Sequence, residues 1–161
     1  SFAVGCSSLR KKGETAEDGS VKSETMANGQ SEKLDGAPML GAGVGSDSGS
    51  IDGLQSVFFE YDKATLSDSE SEKLKMNAEW MKKNSSAKLA IEGHCDQRGS
   101  NEYNLSLGER RANAVKRMLM NLGVTSKRIT TVSFGEEKPL VQGDSEDAMA
   151  RNRRANFVPS N

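Results

Sequence analysis

The chain has 161 residues, of which 34% are hydrophobic, and its formal net charge is -1. This length suits one ordinary domain with room for a tail, and a charge so close to neutral argues against a dedicated nucleic-acid binder. The sequence has no apolar run of about eighteen residues and therefore predicts no membrane-spanning helix. Its two cysteines are too few for a disulfide framework.

The first residues, SFAVGC, place small side chains before Cys6. The Val4-Gly5-Cys6 step resembles the end of a bacterial lipoprotein signal, whose closing cysteine is lipidated. We therefore expect residues 1–5 to be the remnant of a signal peptide and Cys6 to carry acyl chains that anchor the chain in a membrane. By the same resemblance, Ser7 is typical of delivery to an outer membrane. The alternative is an ordinary free or buried thiol, but the polar residues that follow offer Cys6 no core.

Residues 6–53 are predicted to form this lipidated N-terminus and a flexible tether. The stretch is rich in Gly, Ser, Glu, Asp and Lys, and such a composition buries too little apolar surface to offset the entropy of ordering. A separate small subdomain is the alternative, but Leu34, Met39 and Leu40 are nearly its only core candidates. A tether of about 45 residues would have a root-mean-square span of about 35–40 Å.

Residues 54–161 carry the patterns of a folded domain. SVFFEY is dense in β-formers and predicts a first strand, and SDSE at Ser67 has the form of a capping box that begins a helix. AKLAIEG alternates apolar and charged residues as a second strand does, and YNLSLGERRANAVKRMLMNLG has the apolar stripe of a long helix that ends at Gly123. RITTVSF and RNRRANFV predict the third and fourth strands, with a helical turn near residues 145–150 before the last.

The order β-α-β-α-β-β predicts an α+β fold, a sandwich in which two main helices pack on one face of a mixed sheet. The loop after the second strand, GHCDQRGS, holds the chain's only histidine and lies outside this core. The predicted core consists of the apolar residues of the strands and helical stripes: Phe58, Leu74, Ala78, Met81, Leu89, Ile91, Val115, Leu119, Ile129, Val132 and Phe157.

His94, Cys95 and Asp96 follow one another in this loop and suggest either a cysteine nucleophile or a metal site. If the second strand continues to His94, the side chains of His94 and Cys95 point to opposite faces, whereas a thiolate–imidazole pair needs hydrogen-bond distance. A zinc site needs three or four protein ligands, and this segment supplies too few. We therefore expect no catalysis, no metal and no cofactor here, and we interpret His94 and Cys95 as structural residues.

Asp96 lies where a strand ends and a loop begins, a position from which side chains face a cleft. Arg111 lies further along, on the long helix, whose first turn also offers backbone N–H groups to an anion. An aspartate and an arginine that converge on one pocket would bind a zwitterion, because the carboxylate takes an ammonium group and the guanidinium takes a carboxylate. The alternative is an ion pair between Asp96 and Arg111 without a ligand, and the spacing alone leaves both interpretations open.

The segment GHCDQRGSNEYNLSLGERRANAV resembles the signature of the OmpA-like peptidoglycan-binding domain family, with its Gly-His-x-Asp, Tyr-Asn and helical Arg-Ala motifs. FFEYDKATLS resembles the opening strand and loop of that family, and GEEKP and NRRANF resemble its end. The resemblance covers about residues 56–158 in four segments that occur in the same order. It implies the fold of an OmpA-like C-terminal domain and noncovalent binding of the diaminopimelate residue in the peptide stem of peptidoglycan.

The resemblance also implies which residues bind this ligand. Asp96 and Arg111 would hold the zwitterionic group of diaminopimelate. The other residues would line or shape the pocket: Tyr61, Asp62, Gly93, His94, Asn104, Leu107 and Ala112. We expect Arg153 and Arg154, a basic pair in the last strand, to make no ligand contact.

Together with Cys6, the resemblance implies an outer-membrane lipoprotein that faces the periplasm of a Gram-negative bacterium and tethers the outer membrane to the cell wall. It implies Tol-type protein partners such as TolB and no enzymatic activity, and the near-neutral charge predicts no nucleic-acid partner. Two alternatives stay open: a cell-wall hydrolase that uses Cys95, and a stator-type or porin-type domain that shares the fold and the ligand.

Overall fold

The structure, a computed structural model, describes residues 45–48, 51 and 53–160. Cys6 and most of the predicted tether lie outside these residues. The predicted β-α-β-α-β-β order is confirmed, with a third helix before the last strand, and no helix in the described ranges has the length and apolar character needed to cross a membrane. The elements are β1 (Val57–Phe58), α1 (Asp68–Lys83), β2 (Lys88–His94), α2 (Asn101–Asn121), β3 (Ile129–Gly135), α3 (Glu146–Asn152) and β4 (Arg154–Ser160), with short 3-10 helices at Ser46–Ser48 and Ser126–Arg128.

The four strands form one mixed sheet in the order β1-β4-β2-β3. β2 lies inside the sheet, parallel to β3 and antiparallel to β4, whereas β1 pairs with β4 through only Val57 and Phe58. The predicted first strand, SVFFEY, is too long because the chain turns at Tyr61 and Asp62, where Asp62 has a φ of 56°. Since neighbours flank β2 on both sides, the sheet fixes the point at which the loop after His94 begins.

The helices begin and end at the predicted signals, with one difference. Ser67 caps α1 by accepting a hydrogen bond from the backbone N of Glu70 at 3.4 Å. The Glu70 carboxylate does not return to the cap but accepts from the backbone N of Phe58 at 2.9 Å, which ties α1 to β1. At the end of α2, Gly123 has a φ of 93°, and backbone hydrogen bonds from Gly123 to Met120 and from Val124 to Leu119 complete a Schellman motif.

The core lies between α1, α2 and one face of the sheet, and all but two of the predicted core residues are buried. Val132 is 41% exposed, and Phe58 is half-buried. Side chains alternate along a strand, so Val132 faces away from the side that Ile129 occupies, and Phe58 faces away from the side of Val57. The prediction was wrong at these two positions because it followed apolar character rather than alternation.

The other face of the sheet is polar and is covered by residues 45–48, which the sequence analysis assigned to the tether. Asp47 pairs with Arg154 of β4 at 3.0 Å, and Ser46 Oγ donates to Asn156 Oδ1 at 3.1 Å. Asn156 in turn donates to Glu92 of β2 at 2.9 Å. These polar side chains therefore satisfy one another, and the segment before β1 packs as part of the domain.

Gly93 lies where α2 approaches β2, and a Cβ added to it would lie 1.9 Å from the carbonyl oxygen of Gly108 in α2. We expect Gly93→Ala to lower the free energy of unfolding by about 3 kcal/mol or more, because backbone atoms cannot move aside as a flexible side chain can. Urea denaturation measures this change. Lys88→Ala, at an exposed position of the same strand, should shift the free energy by at most about 0.5 kcal/mol. A Gly93→Ala protein as stable as the control would contradict this packing.

Candidate functional site

A cavity of about 200 Å³ opens at the carboxyl-terminal end of β2. Four parts of the chain meet there: the loop after β1, the loop after β2, the first half of α2, and the residue between α3 and β4. The cavity brings together residues that are far apart in sequence. Its lining residues are Tyr61, Asp62, Cys95, Asp96, Arg98, Gly99, Tyr103, Asn104, Leu107, Arg111 and Arg153.

Arg111 is the fully buried cation of this cavity. Its guanidinium donates from Nε to the Lys63 carbonyl at 2.8 Å, from Nη1 to the His94 carbonyl at 2.8 Å and from Nη2 to the Glu60 carbonyl at 3.2 Å. No ion pair among the described residues includes Arg111. Burial lowers the pKa of Arg111, yet an arginine keeps its charge in a protein. The cavity therefore contains a positive charge that carbonyls hold in place and no carboxylate contacts.

Asp96 is the buried anion of the cavity, with 3% of its surface exposed. Its Oδ1 accepts from the backbone N and from Nε of Arg98, both at 3.1 Å. Its Oδ2 accepts from Nη2 of Arg98 at 2.6 Å and from Nη1 of Arg153 at 3.1 Å. Burial alone would raise the pKa of Asp96, but these hydrogen bonds outweigh burial and hold the pKa below its usual value. Asp96 is thus ionised and paired, and its partners are Arg98 and Arg153 rather than Arg111.

Arg153 and Arg154 are adjacent in sequence, but their side chains lie on opposite faces of the sheet. Arg153 lines the cavity, donates from Nε to the Phe59 carbonyl at 3.0 Å and pairs with Glu146 at 2.9 Å. Arg154 instead pairs with Asp47 on the polar face of the sheet. From the sequence, Arg153 was expected to make no ligand contact, whereas in the structure it is a direct partner of Asp96.

Cys95 and His94 do not form a catalytic pair in this structure. The Cys95 thiol is buried, donates to the Asn104 carbonyl at 3.3 Å and accepts from Arg111 Nη1 at 3.3 Å. Burial raises the pKa of Cys95 to about 11, so the thiol is protonated at neutral pH. The His94 ring stacks on Phe134 instead, and neither ring nitrogen has a hydrogen-bond partner among the described residues.

Asn104 shapes the loop that carries Asp96. Its buried side-chain NH2 donates to the Asp96 carbonyl at 3.3 Å, to the Arg98 carbonyl at 3.1 Å and to Glu136 Oε2 at 2.7 Å. These contacts hold the loop after β2 against α2 and against the segment after β3. At the mouth of the cavity, the exposed Tyr103 hydroxyl donates to Asp62 Oδ1, which joins α2 to the loop after β1.

Six of the nine ligand-binding residues predicted from the sequence line this cavity: Tyr61, Asp62, Asp96, Asn104, Leu107 and Arg111. The other three lie beside it. Ala112 packs in the hydrophobic core, and Gly93 lies under α2. The His94 ring faces the polar side of the sheet, although its carbonyl oxygen holds Arg111.

Arg98, Tyr103 and Arg153 belong to the site but were not predicted from the sequence. A local signal exists for Arg98, because an aspartate often accepts a hydrogen bond from the backbone N two residues later, as Asp96 does here. Tyr103 lies one turn before Leu107 on the same helix, so helical periodicity could have predicted that both side chains lie on the same side of the helix. Arg153 contacts Asp96 from near the end of the chain through tertiary folding, and no local sequence pattern predicts this contact.

Comparison with known proteins agrees with this fold. The OmpA family profile matches residues 58–153. The chain is 37% identical over 162 residues to the peptidoglycan-associated lipoprotein of Pseudomonas aeruginosa, covering 94% of this chain and 86% of that protein. The crystal structure of the peptidoglycan-associated lipoprotein from Burkholderia pseudomallei matches with a TM-score of 0.63 at 40% identity, over 65% of this chain and 89% of that one. The C-terminal domain of Helicobacter pylori MotB, with a TM-score of 0.63 at 20% identity over 68% of this chain and 86% of that one, shows likeness of fold alone.

The chain therefore belongs to the OmpA family. The family match begins in β1 and ends at Arg153, so every residue that lines the cavity lies within it. Beyond the domain, the similarity to the lipoprotein of Pseudomonas aeruginosa extends along nearly the whole chain. The predicted relationship to OmpA-like domains of cell-envelope lipoproteins is thus confirmed.

His94 makes the stability of the domain depend on pH in a predictable direction. Burial lowers the pKa of His94, against the opposing effect of Glu92, whose Oε2 lies 3.6 Å from Nε2. The unfolded chain therefore binds a proton more readily than the folded one. Below a pH of about 6.5, the free energy of unfolding should fall by up to about 1.4 kcal/mol per pH unit until the folded pKa is reached.

Urea denaturation between pH 7 and pH 5.5 measures this slope. His94→Gln should flatten it, and because the chain has one histidine, no second imidazole titrates in the window. An equal slope in the wild type and in His94→Gln would show that another group is responsible.

Proposed function

We propose that this chain binds the peptide stem of peptidoglycan noncovalently, through the zwitterionic end of its diaminopimelate residue. The observation that carries the proposal is a single cavity lined by a buried cation, Arg111, and a buried anion, Asp96. Membership of the OmpA family and the names of the relatives support peptidoglycan as the ligand.

The charges of the cavity suit this ligand. Three arginines and two aspartates line it, so positive charge exceeds negative charge by one. Diaminopimelate presents an amino group and a carboxylate at its free end, and the peptide stem adds further carboxylates. A carboxylate placed on Arg111 would offset the cost of burying an unpaired cation, which is several kcal/mol in real proteins.

The proposed role is binding rather than catalysis. A cell-wall hydrolase based on Cys95 needs a thiolate and a base, whereas the Cys95 thiol is protonated at neutral pH and is bonded to Asn104 and Arg111. The only imidazole of the chain has no hydrogen bond to it. These contacts support the interpretation of Cys95 as a packing residue in the cavity wall.

Asp96→Asn and Arg111→Lys test the two ends of the ligand. Asparagine keeps the shape of Asp96 and removes its charge, and lysine keeps the charge of Arg111 and removes its bidentate fork. We expect Arg111→Lys to weaken binding by about 2 kcal/mol or more, roughly 30-fold, because it disturbs one side of a desolvated charge pair. Asp96→Asn should weaken binding by a smaller factor, because arginines of the protein already pair with Asp96. Cosedimentation with purified sacculi of the diaminopimelate type measures the change, and sacculi of the lysine type, which lack the second carboxylate, should bind the wild type far less.

The matched control is Arg117→Lys, at an exposed position of α2. Arg111 also ties three backbone carbonyls, so thermal unfolding of each variant must accompany the binding measurement. A folded Asp96→Asn or Arg111→Lys protein that binds as the wild type does would remove that residue from the ligand site. Equal binding of the two sacculus types would contradict diaminopimelate as the ligand.

We also propose that the chain is an outer-membrane lipoprotein, anchored through acylated Cys6 and facing the periplasm, so that the domain links the membrane to the cell wall. The Val4-Gly5-Cys6 step and the relatives' name, lipoprotein, support the anchor. A Tol-type partner such as TolB belongs to the same proposal and rests on the resemblance alone.

The two cysteines allow a direct test of the anchor. With a complete lipoprotein signal placed before the chain, we expect incorporation of labelled palmitate in the wild type and in Cys95→Ser, and loss of the label in Cys6→Ser. Acylated protein should also partition into detergent, because each buried methylene contributes about 0.8 kcal/mol of membrane affinity. Label retained in Cys6→Ser would contradict lipidation at this residue.

A further inference from the structure

The hydrogen-bonding capacity of Asp96 is already filled by the protein. A carboxylate offers about four lone-pair positions, and Asp96 accepts four hydrogen bonds. Three of them come from Arg98, and two of those from its guanidinium in a bidentate fork. An ammonium group that enters the cavity therefore meets a carboxylate whose acceptor positions are taken.

The two arginines on Asp96 differ in how firmly they are held. Arg153 has a side chain that is 8% exposed and is fixed by the Phe59 carbonyl and by Glu146. The Arg98 side chain is 34% exposed and belongs to the loop between β2 and α2. Its guanidinium lies 3.9 Å from the centre of the exposed Tyr61 ring, beside the cavity. Of the two arginines, Arg98 is therefore the less enclosed partner of Asp96.

We infer that Arg98 is a displaceable counter-ion of Asp96, whose guanidinium occupies the position that the ligand's ammonium group takes. The inference rests on the proposed function and adds a competing group inside the protein to it. When the ammonium enters, the Arg98 guanidinium leaves Asp96, whereas the backbone N of Arg98 stays bonded to Oδ1. The guanidinium keeps two other neighbours, the Tyr61 ring and Glu146, whose Oε2 lies 3.4 Å from Nη1. Arg153 stays on Asp96 and keeps the carboxylate ionised.

This exchange makes the two ends of the site unequal. At Arg111 a ligand carboxylate meets a cation with no anionic contact, so the full interaction counts towards binding. At Asp96 the ligand ammonium replaces a guanidinium, so only the difference between the two pairings counts. Arg98 thus lowers the affinity for any ligand whose ammonium enters the site and leaves unchanged the affinity for a ligand that brings only a carboxylate.

Two ligands and one variant isolate this effect. The first ligand is a stem tripeptide that ends in meso-diaminopimelate, and the second is the same tripeptide with α-aminopimelate, which keeps the distal carboxylate and lacks the distal amino group. Arg98→Gln should bind the first about fivefold more tightly than the wild type does, the gain expected from removing a partly exposed ion pair. It should bind the second with an affinity within about twofold of the wild type. Calorimetry measures both, and Arg117→Gln is the matched control, which should change neither.

Weaker binding of both tripeptides by Arg98→Gln would overturn the inference, because it would make Arg98 a ligand contact. Unchanged binding of both would overturn it as well, since Arg98 would then not occupy the ammonium position. If neither the wild type nor Arg98→Gln binds the diaminopimelate tripeptide, the proposed function fails.

A second measurement, made without any ligand, tests the pairing of Arg98 with Asp96. NMR should show slow exchange of the Arg98 Nε proton with water in the wild type and fast exchange in Asp96→Asn. Fast exchange in the wild type, like that of exposed Arg117, would overturn the inference independently of any ligand.

Discussion

The burial of the Arg111 guanidinium is the interaction on which the rest of the site depends. Three carbonyl oxygens hold it, two from the loop after β1 and one from the last residue of β2. Because Arg111 itself belongs to α2, one side chain fixes the relative positions of a helix, a strand end and a loop. Carbonyl dipoles orient the cation but do not neutralise it, so the domain retains a buried positive charge that a carboxylate ligand can offset.

Asp96 differs from Arg111 in that the protein already satisfies it. Its partners Arg98 and Arg153 keep it ionised despite burial, whereas no carboxylate contacts Arg111 among the residues described. In the proposed function, the site therefore receives an anion at Arg111 and selects a cation attached to that anion at Asp96. A ligand that carries both charges at a fixed separation meets both requirements. A simple amine meets only the requirement at Asp96, where it must compete with Arg98.

The sequence predicts those features of the fold and site that depend on local periodicity. Strand alternation separated the Cys95 thiol from the His94 ring. The resemblance to the OmpA-like family, rather than spacing, assigned Asp96 and Arg111 to one cavity, which both residues line. The same alternation, had it been applied to β3, would have placed Val132 on the outer face. Arg153 is different, because its contact with Asp96 spans 57 residues and depends on how α3 and β4 dock, which no local pattern encodes.

Two consecutive residues of the chain, Arg153 and Arg154, make contacts on opposite sides of the sheet. Arg153 supports Asp96 in the cavity, and Arg154, the next residue, holds Asp47 in the segment that precedes β1. In the proposed anchored protein, a pull on the N-terminal part of the chain reaches Asp47 before it reaches the strands. Through its ion pair with Arg154, Asp47 would pass that force to β4, which is paired on both sides, with β1 and with β2. In this proposal, binding of the cell wall and attachment of the N-terminal segment involve the same strand but different residues, Arg153 and Arg154.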